Sequence, residues 1–193
     1  EGHCDAEALR SGIQEGSFSP GIDVVRDLVR LGVINQTTML ASESRAIGDR
    51  LKLALTRRDG EEALAENFRD FDTICRATQD NQDAVGSLVD EGVLDLMIVV
   101  GGYDSSNTRN LTRVGGGHFP SYHVDGPMAI DSGVIRHRSF ETGGFIDTAD
   151  WLPDGDVVVG FTAGASTPDT LLGETITRVL EVAGAPIDLA TAP

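Results

Sequence analysis

The densest apolar run in the chain is Leu94–Val100, interrupted only by Asp95 and closed by Gly101-Gly102. It is too short to span a membrane and predicts a strand buried on both faces. Ser105-Ser106-Asn107 follows and predicts the start of a helix that Gly115-Gly116-Gly117 ends. Further strands are predicted at Leu28–Ile34, Pro120–Val124 and Asp156–Phe161. Between them lie helical periodicities. Ser42 caps a helix that faces inward through Ile47, Leu51, Ala54 and Leu55. Thr78 caps a second, with Val85, Leu88 and Val89 inward and Gly92 at its end. Thr167 caps a third, with Pro168 and Asp169 in its first turn, Leu172, Ile176, Val179 and Leu180 inward, and Gly184 at its end. A short helix is expected near Asp5–Arg10, and Phe68 and Phe71 are expected to return the chain to the core. Residues 125–150 mix Gly, Asp, His and Arg and yield no clear element.

Strands alternating with helices through short connections predict an α/β fold, with parallel sheets flanked by helices. Right-handed crossovers then place the strand C-terminal ends on one edge, where ligands of open α/β sheets bind. Four polar clusters follow strands or short segments: Gln36-Thr37, Cys75, Ser105-Ser106-Asn107 and Ser166. A strand, a glycine turn and a hydroxyl-rich helix start gather N–H and O–H donors suited to a phosphate or diphosphate. Taken singly, Ser105-Ser106-Asn107 reads equally well as an ordinary helix cap. Convergence of four clusters favours the anion reading, because each non-bridging oxygen takes one or two donors.

Charge narrows the partners. With 31 acidic residues against 15 Lys plus Arg, the formal charge is −16, and no basic stripe is present. Non-specific nucleic acid binding is excluded on that ground, and an anion site has to rely on local donors rather than on the global field. No stretch reaches transmembrane length and no signal peptide is read. The two cysteines, Cys4 and Cys75, have neither disulfide-framework nor zinc spacing, which fits a reducing compartment. Taken alone, Cys75 in Thr-Ile-Cys-Arg-Ala-Thr reads as a small core residue.

Four motifs jointly carry a resemblance: Val33–Leu40 (VINQTTML), Thr73–Ala84 (TICRATQDNQDA), Val99–Leu111 (VVGGYDSSNTRNL) and Gly160–Asp169 (GFTAGASTPD). In this order and spacing the chain resembles the C-terminal portion of the 4-hydroxy-3-methylbut-2-enyl diphosphate reductases, the LytB family. It is most similar to the cyanobacterial and plastid type, through Asn35–Leu40 and Ser19-Pro20-Gly21. The resemblance covers roughly residues 16–183.

The resemblance implies a fold and a role for each motif. The fold is the C-terminal part of a three-lobed α/β reductase, with residues 1–70 the remainder of the middle domain and 71–193 the C-terminal domain. Cys75 is one of three cysteine ligands to a 4Fe-4S cluster. Ser105, Ser106, Asn107 and Ser166 hold the diphosphate, and Thr37 lines the pocket near the substrate hydroxyl. The reaction is reductive dehydroxylation to isopentenyl and dimethylallyl diphosphate, the last step of non-mevalonate isoprenoid synthesis. Two electrons, from a donor such as ferredoxin or flavodoxin, and protons expel the hydroxyl as water.

Two positions depart from the pattern: Asp104 where Asn usually stands, and Asn81 where Arg is common. A carboxylate at 104 disfavours an anion beside it unless it points away or finds a partner. The family's other two cluster cysteines and its Glu proton donor lie in a part this sequence does not carry. His3 and Cys4 are read as bystanders, the role of Asp5 is left open, and His118, His123 and His137 are read as surface or structural residues. The expectation is therefore a reductase fragment, inactive on its own, from a bacterial cytoplasm or alternatively a plastid. Its rivals are a diphosphate-binding α/β module without redox activity and an unrelated phosphate-binding enzyme such as a sugar-phosphate isomerase. The thiol at Cys75 speaks against the first and the ordered motifs against the second.

Overall fold

The computed structural model describes residues 16–185 together with 7, 11, 12 and 14. His3, Cys4, Asp5 and the expected opening helix, apart from Glu7, lie outside the described residues. Contacts divide the chain into two compact units. One comprises Glu1–Gln36 and Ala41–Thr73, the other Thr37–Leu40 and Ile74–Pro193.

The first unit holds a short helix α1 (Val24–Asp27), strand β1 (Leu31–Ile34), helices α2 (Ala41–Asp59) and α3 (Glu61–Asn67), and strand β2 (Phe68–Phe71). β1 and β2 pair in parallel, Leu31 opposite Phe68 and Ile34 opposite Phe71. The first strand is shorter than predicted, because Leu28–Arg30 form a turn. Phe68 is half-buried, whereas Phe71 is 54% exposed. Residues three apart on a strand point to opposite faces, so one strand cannot bury both phenylalanines against the same layer. The inward face of α2 also differs from expectation. Its buried residues are Ala41, Ser44, Gly48 and Leu55, while Ile47 is exposed. Small residues at helical spacing let α2 approach β2 closely; a side chain at position 48 would collide with the Asp70 carboxylate.

The second unit holds α4 (Arg76–Glu91), β3 (Leu96–Val100), α5 (Ser106–Gly116), β4 (Ser121–Val124), a 3-10 turn (Pro127–Ala129), β5 (Val134–Arg138), β6 (Phe145–Ala149), β7 (Val159–Ala163) and α6 (Asp169–Ala183). The strand order is β6-β5-β4-β3-β7. β3 pairs in parallel with β4 and with β7, while β4–β5 and β5–β6 are antiparallel. The fold is α/β, and its larger sheet is mixed rather than parallel throughout. The antiparallel part is the hairpin β5–β6, which occupies the stretch where the sequence yields no clear element.

β3 is buried along its whole length, at 0–1% exposure. Leu96, Ile98 and Val100 face a core with Tyr122, Ile135, Trp151 and Val179. Met97 and Val99 face a second core with Val85, Leu111 and Phe119. Alternation along one apolar strand thus feeds two cores, one on each face of the sheet. α6 packs on the first face through Val179, and α4 and α5 on the second through Val85 and Leu111. The helices that follow β3 and β7 therefore leave the same sheet edge toward opposite faces. The strand ends between them are the topological switch point, here called the crevice, where such sheets usually take ligands.

Candidate functional site

The crevice begins where three parallel strands end together, Val100 opposite both Val124 and Ala163. The strand-following loops continue the ladder: Gly101 N–H donates to Val124 O and Gly164 N–H to Val100 O, each at 2.9 Å. Gly101 and Gly164 flank one point, and a Cβ on either would collide with the hydroxyls of Thr108 and Thr167. Only glycine lets these two loops and two helix starts approach so closely.

Ser105 is the N-cap of α5, its hydroxyl accepting from Thr108 N–H at 3.2 Å. This is the ordinary capping role, and it leaves the Ser106 and Asn107 side chains for other partners. Ser106 Oγ lies 2.8 Å from Thr38 Oγ1. Asn107 is 3% exposed, yet neither its Nδ2 nor its Oδ1 has a protein partner. Thr108 is fully buried, with Oγ1 likewise unpartnered. Buried polar groups are nearly always satisfied, so two adjacent exceptions at the strand edge single out this point among the described residues.

Thr37 and Thr38 belong to the second unit, in its short segment Thr37–Leu40. Asn110 Nδ2 donates to Thr38 O and Gln82 Nε2 to Met39 O, both at 3.0 Å. Cys75 N–H donates to Thr37 O at 3.4 Å. Thr37, Cys75 and Ser106 are thus linked through directly bonded neighbours. Ser166 is exposed on the loop after β7. That loop is tied to β3 where Thr167 Oγ1 donates to Val100 O at 3.1 Å. Thr167 therefore serves the loop rather than the helix, and α6 starts at Asp169 with Pro168 as N-cap and no side-chain cap. Asn81, one of the two departures, donates from Nδ2 to Ala163 O at 3.0 Å and secures the same loop from α4.

Cys75 is not a core residue. It is the exposed N-cap of α4, and the helix starts at Arg76 rather than after Thr78. Thr78 is fully buried, and its Oγ1 lies 3.1 Å from Cys75 Sγ. The Thr78 hydroxyl first, then the N–H groups of Thr78 and Ala77, hold the thiol below its usual pKa. An exposed cysteine with a lowered pKa at a helix N-terminus is in the setting that favours reactive and metal-binding thiols. Cys75 therefore fits a metal cluster as one ligand. Among the described residues no three His, Cys, Asp or Glu side chains gather to hold a metal.

The histidines stay structural in their surroundings. His118 follows α5, at the opposite end of the sheet from the crevice. His137 is buried on β5, with Nε2 2.9 Å from Thr148 Oγ1. His123 is 1% exposed, with Nε2 donating to Gly101 O at 3.0 Å, and burial holds its pKa below the usual value. Asp104 is fully exposed and finds a partner in Arg138, whose Nη1 lies 3.3 Å from its Oδ1. Sequence reading passed over Thr38, Thr108, His123 and Arg138 as parts of this edge. Thr108 had a usable signal, since it stands three residues after the N-cap; Arg138 had none.

A model of the LytB protein family matches residues 5–180. The chain is 46% identical over 166 residues to the 4-hydroxy-3-methylbut-2-enyl diphosphate reductase of Gloeobacter violaceus, covering 85% of this chain and 40% of that protein. It is 47% identical over 173 residues to the reductase of the same name from a Synechococcus species, covering 88% of this chain and 42% of the relative. The chain thus spans about two-fifths of the length of the curated relatives it matches. Among solved structures, the E-1-hydroxy-2-methyl-but-2-enyl-4-diphosphate reductase of Plasmodium falciparum shares the fold, with a TM-score of 0.53 at 18% identity over 85% of this chain and 46% of that one. The chain belongs to the LytB family.

Proposed function

We propose that this chain is the C-terminal part of a 4-hydroxy-3-methylbut-2-enyl diphosphate reductase. Its first unit is the remainder of a middle α/β domain, and its second is the C-terminal domain. The observation that carries this reading is Asn107, a buried side-chain amide with both polar atoms unpartnered in the crevice. Its Nδ2 donates to a diphosphate oxygen, joined by the hydroxyls of Ser105, Ser106 and Ser166. The N-terminal end of α5 adds partial positive charge, so donors local to the crevice offset a net charge of −16. Thr37 faces the hydroxyl end of the allylic substrate.

Cys75 is one of three thiolates that hold a 4Fe-4S cluster, and the other two come from outside the described residues. When bound, the cluster supplies the electrons for loss of the substrate hydroxyl as water. The chain's own residues fix the diphosphate and present a thiol of lowered pKa at the start of α4. A small ferredoxin or flavodoxin is the electron donor. No described helix is long and apolar enough to cross a membrane. The compartment proposed is a bacterial cytoplasm, with a plastid as the alternative. A second reading, a diphosphate-binding module without redox activity, draws on Cys75 being a single thiolate among the described residues.

Anaerobic reconstitution of the protein expressed from its full reading frame separates the two. Reductase predicts cluster absorbance and substrate-dependent oxidation of a reduced dye, both lost in Cys75→Ser. Diphosphate binding without cluster or turnover assigns the protein to the second reading.

A further inference from the structure

A single row of side chains crosses three strands beside the crevice. His123 on β4 is the register partner of Arg138 on β5, and Arg138 is the partner of Phe145 on β6. Directly opposed residues on neighbouring strands project to the same face. All three touch the turn Gly101–Ser105. His123 Nε2 donates to Gly101 O at 3.0 Å. Arg138 Nη1 donates to Tyr103 O at 2.5 Å and lies 3.3 Å from Asp104 Oδ1, while its Nε donates to Gly143 O at 3.0 Å. Phe145 meets the Tyr103 ring edge-on at 4.8 Å, and His123 stacks obliquely on it at 5.3 Å.

We infer that this row is a clamp on the carbonyl side of the Gly101–Ser105 turn, with Arg138 as the positioning residue at its centre. The inference rests on the reading of Ser105–Asn107 as a diphosphate site. A turn that presents N–H groups to an anion turns its carbonyls the other way, and those carbonyls need donors of their own. Here the donors are the His123 ring and the Arg138 guanidinium. The guanidinium does two further things. It spans Tyr103 and Gly143 and so locks the β5–β6 hairpin to the turn, which a lysine cannot do from one nitrogen. It also faces the Asp104 carboxylate, which otherwise stands uncompensated two residues before Ser106. The hairpin is thereby a support for the anion site rather than an ornament at the edge of the sheet.

The test is calorimetric titration of the protein expressed from its full reading frame with inorganic diphosphate, with thermal unfolding followed in parallel. Arg138→Ala is expected to weaken binding at least tenfold, and Arg138→Lys to recover less than half of that loss on a logarithmic scale. In the Arg138→Ala background, Asp104→Asn is expected to restore two- to fivefold, while in the parent it changes affinity less. That dependence on Asp104 is a readout that mere support of the hairpin does not produce. Phe145→Leu, which keeps the strand apolar, is expected to weaken binding about threefold through Tyr103 and provides an independent arm if Arg138→Ala unfolds. Binding in Arg138→Ala and Phe145→Leu within twofold of the parent, with Asn107→Ala abolishing it, overturns the clamp and leaves the site standing. A parent that binds no diphosphate overturns the site reading and the clamp together.

Discussion

Thr38 Oγ1 and Ser106 Oγ lie 2.8 Å apart although 68 residues separate them in sequence. This bond fastens the Thr37–Leu40 segment to the start of α5, supported by Asn110 and Gln82. One such bond contributes about 1 kcal/mol net to stability. Thr38→Val keeps the shape and removes the hydroxyl, so it is expected to lower unfolding stability by about 1 kcal/mol in urea denaturation. It is also expected to weaken diphosphate binding several-fold, because Ser106 loses the group that orients it.

Asn107 should show the opposite balance. Its buried amide has no protein partner, so the unliganded protein carries its desolvation cost. Such a cost is about 1–3 kcal/mol. Asn107→Leu, branched alike at Cγ and apolar, is expected to raise unfolding stability by about 1 kcal/mol, provided the larger methyls fit, while losing anion binding. Parallel denaturant titration and calorimetry check both halves of this exchange.

The close approach of the two strand-end loops is tested at Gly164. A methyl there would meet the Thr108 and Thr167 hydroxyls. Overpacking of this kind costs about 1–3 kcal/mol. Gly164→Ala is expected to lose that much stability, measurable by thermal unfolding, and to displace Ser166 enough to weaken anion binding.

His123 makes stability depend on pH in a definite direction. Burial holds its folded pKa below the unfolded value, and Arg138 and Arg109 nearby act the same way, against the raising effect of the Gly101 and Gly102 carbonyls. Between the two pKa values the unfolded chain binds more protons, so stability falls as pH drops. Its contribution is complete above the unfolded value of about 6.5 and is lost as pH falls through the folded one. His137, also depressed by burial, adds to the same slope. Melting temperatures measured from pH 7.5 to 5 should decline, and the decline should be shallower in His123→Gln.

Cys75 should react faster than an ordinary thiol. The Thr78 hydroxyl is the leading cause of its lowered pKa. In a Cys4→Ser background, alkylation by iodoacetamide at pH 7 is expected to outpace that of a free cysteine. Thr78→Val should slow it and move the pH midpoint of the rate upward.

Much of this arrangement was legible in the sequence because it rests on local rules. Leu96–Val100 is apolar at every position, which only a strand buried on both faces tolerates, and it feeds both cores. Ser105 is placed by its cap, and glycines at 92 and 184 by the left-handed helix ends they adopt. The hairpin β5–β6 was hidden because its alternation is masked. One of its inward positions is His137, and Val134, Phe145 and Ile146 are exposed. The exposure of Cys75 is not legible from its residue type, since it follows from where α4 begins and not from its neighbours in sequence. The buried stripe of α2 is not legible from apolarity, because Ser44 and Gly48 pack through smallness. Arg138 was invisible because its partners Tyr103 and Asp104 lie 34 to 35 residues away and meet it only through the sheet.

The decisive measurement is titration of the protein expressed from its full reading frame with inorganic diphosphate, beside Asn107→Ala. One site per chain is expected, with affinity reduced at least tenfold in the variant while the thermal transition is kept. Equal affinity in parent and variant, or no binding by the folded parent, would contradict it.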